Sequence, residues 1–294
     1  MIAAIAEAIG KEIGSRLEPE PASRVHGGSI NECYRWNTDS APVFVKVASA
    51  GDRAMLEAEA AGLEQLRGAN AVRVPRVLGV GADPNNAWLA LEWIELAASS
   101  APCERLLGER LALQHRVSAA GFGWSRDNTI GSTPQVNGWL GDWVEFFRDR
   151  RLQPQLVRAA ENGHGGELQR RGAVLLDRLG EFFTAHRPVP SLLHGDLWGG
   201  NWGADERGNP VIFDPAVYYG DREADLAMTH LFGGFGADFY SAYEAAWSLD
   251  AGAAQRSRLY NLYHVLNHLN LFGEGYLAQA QSMIDRLLRD LQGA

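Results

Sequence analysis

Cysteine is scarce in this chain, with Cys33 and Cys103 the two among 294 residues. Two thiols make no disulfide framework, and a reducing cytosol fits such usage. Basic charge is also in deficit: 27 Lys and Arg stand against 36 acidic residues, a net charge of −9, with no Lys/Arg run. The expected partners therefore include no nucleic acid and no membrane. Apolar runs reaching the roughly 18 residues of a membrane span are missing. The N-terminal MIAAIAEAIGKEIG has no basic start and is interrupted by Glu7, Lys11 and Glu12. Ile2, Ile5, Ile9 and Ile13 recur at helical spacing, so it reads as an amphipathic helix and not a signal peptide. Neither G-x-x-x-x-G-K-[ST] nor a full G-x-G-x-x-G occurs, which leaves Walker and Rossmann readings without support. There is no internal repeat and no low-complexity segment.

What is present is enough apolar residue, 46% against 21% charged, to bury a sizeable core in one large or two modest domains. The stretch that organises the rest is SLLHGDLWGGNWGADERGNPVIFDPAVYY, residues 191–219. It holds Asp196, Asn201 five positions later, and Asp214 at the end of the apolar run Val211-Ile212-Phe213. That combination suits ATP-dependent phosphoryl transfer, which needs positioning, a base and charge neutralisation more than covalent chemistry. Asp196 would accept the proton of an attacking hydroxyl. Asn201 and Asp214 would hold Mg2+, whose usual ligands are hard oxygens. The protein-kinase string H-R-D-x-x-x-x-N has the same spacing, and the Gly195 variant resembles small-molecule kinases of the aminoglycoside-phosphotransferase type. The bland alternative is a turn-capping Asp196 and a strand-ending Asp214. It explains one aspartate more easily than three polar groups at this spacing with a lysine strand upstream.

Upstream, residues 26–36 read as a strand, a glycine turn and a returning strand. Gly27, Gly28 and Ser29 would let backbone N–H groups approach phosphates, although Gly-Gly-Ser also describes an ordinary hairpin. Cys33 lies in this suspected nucleotide loop, and an ordinary thiol is the simpler reading beside redox sensitivity. Val43-Phe44-Val45-Lys46-Val47 resembles the V-A-I-K strand whose lysine meets the α/β-phosphates. The helical stretch 53–66 carries Glu57 and Glu59, of which Glu59 is the expected partner of Lys46. The alternative is a solubilising edge-strand lysine with both glutamates solvated. Residues 74–80 and 87–94 read as two further strands, and by chain order Glu92 to Glu95, with Glu92 and Ile94 as contacts, is where a kinase hinge would meet adenine.

Beyond residue 95 the pattern becomes helical: 106–118 with a structural His115, 143–151, a continuous helix over 168–186, and most of 238–291. The polar, aromatic, glycine-rich stretch 121–139 reads as a long functional loop forming part of the substrate wall. Asp221 is expected to cap a helix, and Asp225 to be buried against the catalytic-loop backbone. The turn at Gly233–Gly236 is placed at the border of the substrate pocket. His264 and His268 share a helix face but lack a third ligand, so a zinc site is not expected.

With those residues placed, the chain resembles the fructosamine-kinase (ketosamine-3-kinase) family, within the aminoglycoside-phosphotransferase/choline-kinase-like group. The matching strings include GGSINECYRW, VFVKV, EAEAAGLEQL, DNTIGSTPQVN, LLHGDLWGGNWG and FDPAVYYGDREADLAM. The resemblance implies an α+β, bilobal protein-kinase-like fold, with a β-rich nucleotide lobe over 1–95 and a mainly helical lobe over 96–294. It implies ATP with Mg2+ and phosphorylation of ketoamines at O3, the substrates being fructosamine or ribulosamine adducts of lysine or protein, and the outcome deglycation, a protein-repair step. By motif, Asp196 is then the base, Asn201 and Asp214 the metal ligands, Lys46 the phosphate contact and Glu59 its partner. Trp198 would stack on the sugar, with lobe packing as the other reading, and Asn128 and Gln135 are further substrate candidates. A monomer or homodimer is expected. Rival readings are a kinase of the same fold acting on an aminoglycoside, choline or a thiosugar, and a nucleotide-binding module without catalysis. A protein kinase proper would need an A-P-E string, which is absent, and FDPA stands in place of D-F-G.

Overall fold

The computed structural model describes residues 2–25 and 31–292. The N-terminal part is a five-stranded antiparallel sheet held between two helices. Its strands are β1 (Ser23–Val25), β2 (Glu32–Trp36), β3 (Val43–Ser49), β4 (Val77–Ala82) and β5 (Asn86–Glu92), in the order β1-β2-β3-β5-β4. Helix α1 (Ile2–Ile13) packs Ile5 and Ile9 on one face, against Trp36, Val45, Trp88 and Ala90. Helix α2 (Arg53–Gly68) covers the other face, where Leu56, Leu63 and Leu66 share a core with Leu89 and Leu91. Strand side chains alternate between faces. Val43 and Val45 therefore turn to α1, and Lys46 is delivered to the α2 face, where Glu59 stands. The expected helix over 53–66 is present and runs two residues further, to Gly68.

The chain then crosses to a second region. Strand β6 (Leu96–Ala97) joins a small sheet with β10 (Trp202–Asp205) and β11 (Pro210–Ile212), in the order β11-β10-β6. Helix α3 runs over Ala101–His115, starting five residues before the expected 106, because Ser100 accepts from the Cys103 N–H and Pro102 suits a first turn. The expected long loop at 121–139 contains a hairpin, β7 (Asn128–Ile130) and β8 (Thr133–Gln135), tied into the interior. Helix α4 (Trp143–Phe147) continues through a π-helical turn, Arg148–Leu152, into α5 (Gln153–Glu161).

The expected continuous helix over 168–186 is broken. Helix α6 covers Glu167–Asp177 and a 3-10 turn covers Leu179–Phe183, with Gly180 in the turn. Strands β9 (Ser191–Leu193) and β12 (Tyr218–Gly220) pair antiparallel and bracket the organising stretch. Helices α7 (Glu223–Leu231), α8 (Ala237–Ala246), α9 (Ala253–Phe272) and α10 (Leu277–Asp290) complete the region.

Its core is aromatic and leucine-rich, centred on Trp143, Phe146, Phe147, Tyr260 and Leu266. Each fully buried Leu or Phe contributes roughly 1.5–3 kcal/mol, so this core makes a rigid base for the loops that carry polar chemistry. No helix among the described residues is long and apolar enough to cross a membrane.

Candidate active site

The HGD string leaves β9 in a turn that only glycine can make. Gly195 has φ 84°, and a Cβ there would collide with the carbonyl oxygen of Ala216. Asp225, buried on α7, fixes this turn from below. Its two oxygens accept the His194 N–H at 2.7 Å and the Gly195 N–H at 2.8 Å, and His115 Nε2 lies 3.1 Å from it. Burial alone would raise the Asp225 pKa, but the hydrogen bonds from the His115 ring and the Gly195 N–H outweigh it and hold it low. His194 Nε2 lies 3.0 Å from the Phe213 carbonyl, and its Nδ1 accepts the Asp196 N–H at 3.3 Å. Burial keeps His194 neutral. It thereby couples the Asp196 turn to the strand that ends in Asp214. The expectations for His115 and Asp225 hold in this geometry.

Asp196 projects from that turn. Burial, and then the Asp214 charge, push its pKa up to about 7. Asn201 donates its amide to the Asp196 carbonyl at 2.9 Å and to Oδ2 at 3.2 Å. This spends the Asn201 nitrogen and leaves its amide oxygen for a cation. Asp214 has φ 58°, a conformation that non-glycine residues seldom adopt and that Asp tolerates better than most. Lys46 lies 2.7 Å from both Glu59 Oε1 and Asp214 Oδ1. Burial would strip its proton, yet the Asp214 and Glu59 carboxylates outweigh burial and hold the ammonium charged.

Two cavities meet here. One, about 140 Å³, is lined by Lys46, Glu59, Asn128, Asp196, Trp198, Asn201 and Asp214. The other, about 400 Å³, is lined by Phe44, Pro75, Leu91, Glu92, Ile94, Val211 and Phe213. Both include Cys33, Asn201 and Asp214, so they are halves of one cleft between the sheet and the helical region. The larger half has the apolar walls that suit a flat heteroaromatic ring, and the smaller has the polar groups that suit phosphates and hydroxyls. A depression of about 550 Å³ walled by Arg73, Trp93, Arg110, Asp205 and Arg207 lies outside the hinge, and Arg73 spans it in ion pairs to Glu92 and Asp205.

Of the residues singled out in the sequence, Lys46, Glu59, Glu92, Ile94, Asp196, Trp198, Asn201, Asp214 and Asn128 line this cleft. Gly27, Gly28 and Ser29 lie outside the described residues. Gln135 does not line the cleft. It is buried, its Nε2 donates to Asn128 Oδ1 at 3.1 Å, and its Oε1 accepts the Tyr263 hydroxyl at 2.7 Å. Asn128 reaches the cleft wall, but its amide is held by the Val217 carbonyl, Gln135 and Asn137. A polar residue in a glycine-rich stretch looks like a surface contact; here the hairpin folds inward and its amides bond one another. Arg151 pins it from behind, fully buried, donating to the Val136 carbonyl and Asn137 Oδ1 and lying 4.1 Å from the Tyr218 ring centroid. The Gly233–Gly236 turn packs on Gly199 and Trp202 and is not a cleft wall. Met55, Thr129 and Pro215 also line the cleft, and nothing in their spacing marked them.

Cys33 is buried at the junction of the two halves, where burial pushes its thiol up to about 11 and keeps it protonated. His264 is buried and pulled down to about 3 by burial and by His268, whose Nδ1 is bonded to the His264 carbonyl. A different trio, His186, Asp221 and Glu223, brings three possible ligand atoms within 4.8 Å of one another. Those atoms are already engaged. Arg256 grips both Glu223 oxygens at 2.7 and 2.8 Å, Tyr260 donates to Asp221, and His186 bridges Asp221 and Asp250. Asp221 also accepts the Glu223 N–H at the start of α7, the capping role expected of it.

Comparison with known proteins follows the same lines. The sequence profile described as fructosamine kinase matches residues 1–290. The chain is 42% identical to a Synechocystis protein assigned as a ketoamine kinase, over 97% of this chain and 96% of that one. It is 41% identical to the chloroplastic protein-ribulosamine 3-kinase of Arabidopsis thaliana, over 91% and 82% of the two chains. Among solved structures, one assigned as a fructosamine-3-kinase from Haemophilus somnus superposes with a TM-score of 0.87 at 28% identity, covering 97% and 96%. An aminoglycoside phosphotransferase in ternary complex with ADP and hygromycin B shares the fold with a TM-score of 0.69 at 15% identity, covering 97% and 98%.

Proposed function

The chain belongs to the fructosamine kinase family, and from that premise we propose that it transfers the γ-phosphoryl group of ATP to the O3 hydroxyl of ketoamines, leading to deglycation of the amine. The fold is the bilobal, protein-kinase-like α+β fold. The observation that carries the reading is the convergence of Asp196, Asn201, Asp214 and Lys46 on one cleft with an apolar chamber beside it.

In this proposal the apolar chamber takes adenine, with Glu92 and Ile94 at its edge. Lys46, held by Glu59, contacts the phosphates. Asp196 accepts the proton of the sugar hydroxyl. Its pKa of about 7 suits a base that must hold and release a proton near neutrality. Asn201 and Asp214 would hold Mg2+, and the donor set fits: an amide oxygen not used by Asp196 and a carboxylate set at the strand end. When bound, Mg2+ neutralises charge on the phosphates. Glu59, Asp196 and Asp214 are the acidic residues lining the smaller chamber, and all three are used by these roles. Among the described residues that leaves no acidic side chain there for a polycationic drug, which favours a neutral sugar lying on Trp198.

We place the lobe boundary near residue 95, supported by the pairing of β6 with β10 of the second region. A cytosolic location agrees with two free, buried cysteines.

The test is ADP release by purified protein with Mg-ATP on ribulose-lysine, fructose-lysine, a panel of aminoglycosides, and choline. Turnover confined to the ketoamines is the expected result. Turnover of an aminoglycoside or choline instead would overturn the substrate class and keep the kinase.

A further inference from the structure

Single exposed apolar side chains are normal on any protein surface; a connected set beside a binding cleft is not. Among the described residues, four Trp or Phe side chains are exposed: Trp139, Trp198, Phe232 and Phe272. Three of them lie on one strip that begins in the cleft. The Trp198 ring meets Phe232 edge-on at 6.4 Å, and Phe232 meets His268 at 4.8 Å. His268 then meets Phe272 at 5.3 Å and Tyr276 at 5.2 Å. The strip draws on the catalytic loop, the end of α7, and the end of α9 with the turn after it. Its continuity is therefore not a by-product of one helix's periodicity. At its centre, the His268 Nδ1 is satisfied by the His264 carbonyl, so the ring lies fixed between its aromatic neighbours.

We propose that this strip docks the polypeptide carrying the ketoamine, and that it selects for an apolar or aromatic side chain within a few residues of the modified lysine. The inference rests on the ketoamine reading above. A sugar that offers its hydroxyl to Asp196 while lying on Trp198 has the nucleotide chamber on its other side. Its amine substituent then leaves past Trp198, towards Phe232. The ring-to-ring steps of 6.4, 4.8 and 5.3 Å form a path that an extended peptide, rising ~3.3 Å per residue, covers in about five residues. A free amino acid adduct, with its sugar on Trp198, ends within the first of these steps, so the outer rings serve only a longer substrate. Exposed aromatics of this kind are the usual anchors of peptide contacts.

Steady-state kinetics on three substrates tests this: the ribulose adduct of free lysine, and two short peptides with one ribulosyl-lysine flanked by phenylalanine in one and by serine in the other. The phenylalanine peptide should have the lowest KM. Phe272→Ala should raise that KM roughly tenfold with little change in kcat. The same variant should leave the free-lysine adduct and the serine peptide within about twofold, a change too small for a lost anchor. Phe272→Leu should recover part of the loss. Equal kcat/KM for the two peptides in the wild type, or an equal loss on all three substrates in Phe272→Ala, would overturn the inference while leaving the kinase reading intact. A dimer that dissociates in Phe272→Ala would assign the face to a second copy and overturn it as well. No turnover of any of the three by the wild type would bring down the ketoamine reading, and this inference with it.

Discussion

The Lys46–Glu59–Asp214 cluster and the His186–Asp221–Glu223–Arg256 cluster are both built from buried charge, but only the second is closed. In the second, Arg256 and Glu223 form a bidentate pair with both side chains 3% exposed, and Asp221 accepts from His186, Tyr260 and a backbone N–H. In the first, Lys46 is buried while the Asp214 side chain is 38% exposed and faces a cavity. Asp196 and its partner Asn201 belong to the same open cluster, and burial, then the Asp214 charge, raise the Asp196 pKa. Closed clusters hold a fold together. Open ones have valence left for a ligand. Residue composition alone would have favoured the His-Asp-Glu trio as the metal site, and hydrogen-bond completeness reverses that choice.

The contrast breaks first where the closed cluster is cut. Arg256→Ala leaves buried Glu223 without its bidentate partner and with only His186, 3.8 Å away, so stability should fall by about 3–5 kcal/mol. The double variant Arg256→Met with Glu223→Leu should recover much of that loss in denaturant melts, since no charge is then stranded. If the single variant melts like the wild type, the cluster is not the closed structural unit described here.

Cutting the open cluster should have the opposite profile. Asp196→Asn should fold normally, bind ATP nearly as well as the wild type, and lose at least about 100-fold in turnover. Titration calorimetry with ATP and an ADP-release assay separate the two quantities. Turnover within a few-fold of wild type would remove Asp196 from the role of base.

Both clusters carry pH signatures of opposite use. Asp196 is raised to about 7, so kcat/KM should fall as pH drops below about 7 and the base becomes protonated. The folded protein also keeps a proton that the unfolded chain has released between about pH 4 and 7. Stability without ligand should therefore decline as pH rises through 7. Asp196→Asn, which cannot ionise, should melt higher than wild type near pH 8 and alike near pH 4. His186 gives the smallest effect. Burial opposes its charge, but Asp221, Asp250 and Glu223 outweigh burial and raise its pKa. Its contribution is complete below the ordinary value of about 6.5 and fades as pH rises through the raised one. His186→Asn should accordingly cost more near pH 5.5 than near pH 9. An equal cost at both would mean that His186 is neutral in the folded state.

The open cluster was readable in the sequence because its members sit at fixed short spacings or on strands with clear alternation. Asp196 and Asn201 are five apart, and Lys46 lies in a run of valines. The closed cluster was not readable, because Arg256 and Glu223 are 33 positions apart and each looks like an ordinary solvated charge. Helix positions were legible from apolar spacing, while their ends were set by local chemistry: Ser100 advances α3, and α6 gives way to a 3-10 turn containing Gly180. Gln135 misled for a tertiary reason. Its amide group completes a network with Asn128, Asn137 and Tyr263 that no local pattern encodes.

Gly195 bears on how such an enzyme can be governed. In the H-R-D string of protein kinases an arginine stands at this position, and kinase loops can be ordered when an added phosphate finds an arginine. Here the backbone turn and the Ala216 carbonyl leave no volume for any side chain. A phosphate placed on a neighbouring loop would find no guanidinium at this point. The catalytic turn is instead held in shape by Asp225 through two backbone N–H bonds, so its geometry does not wait on a charged side chain at position 195.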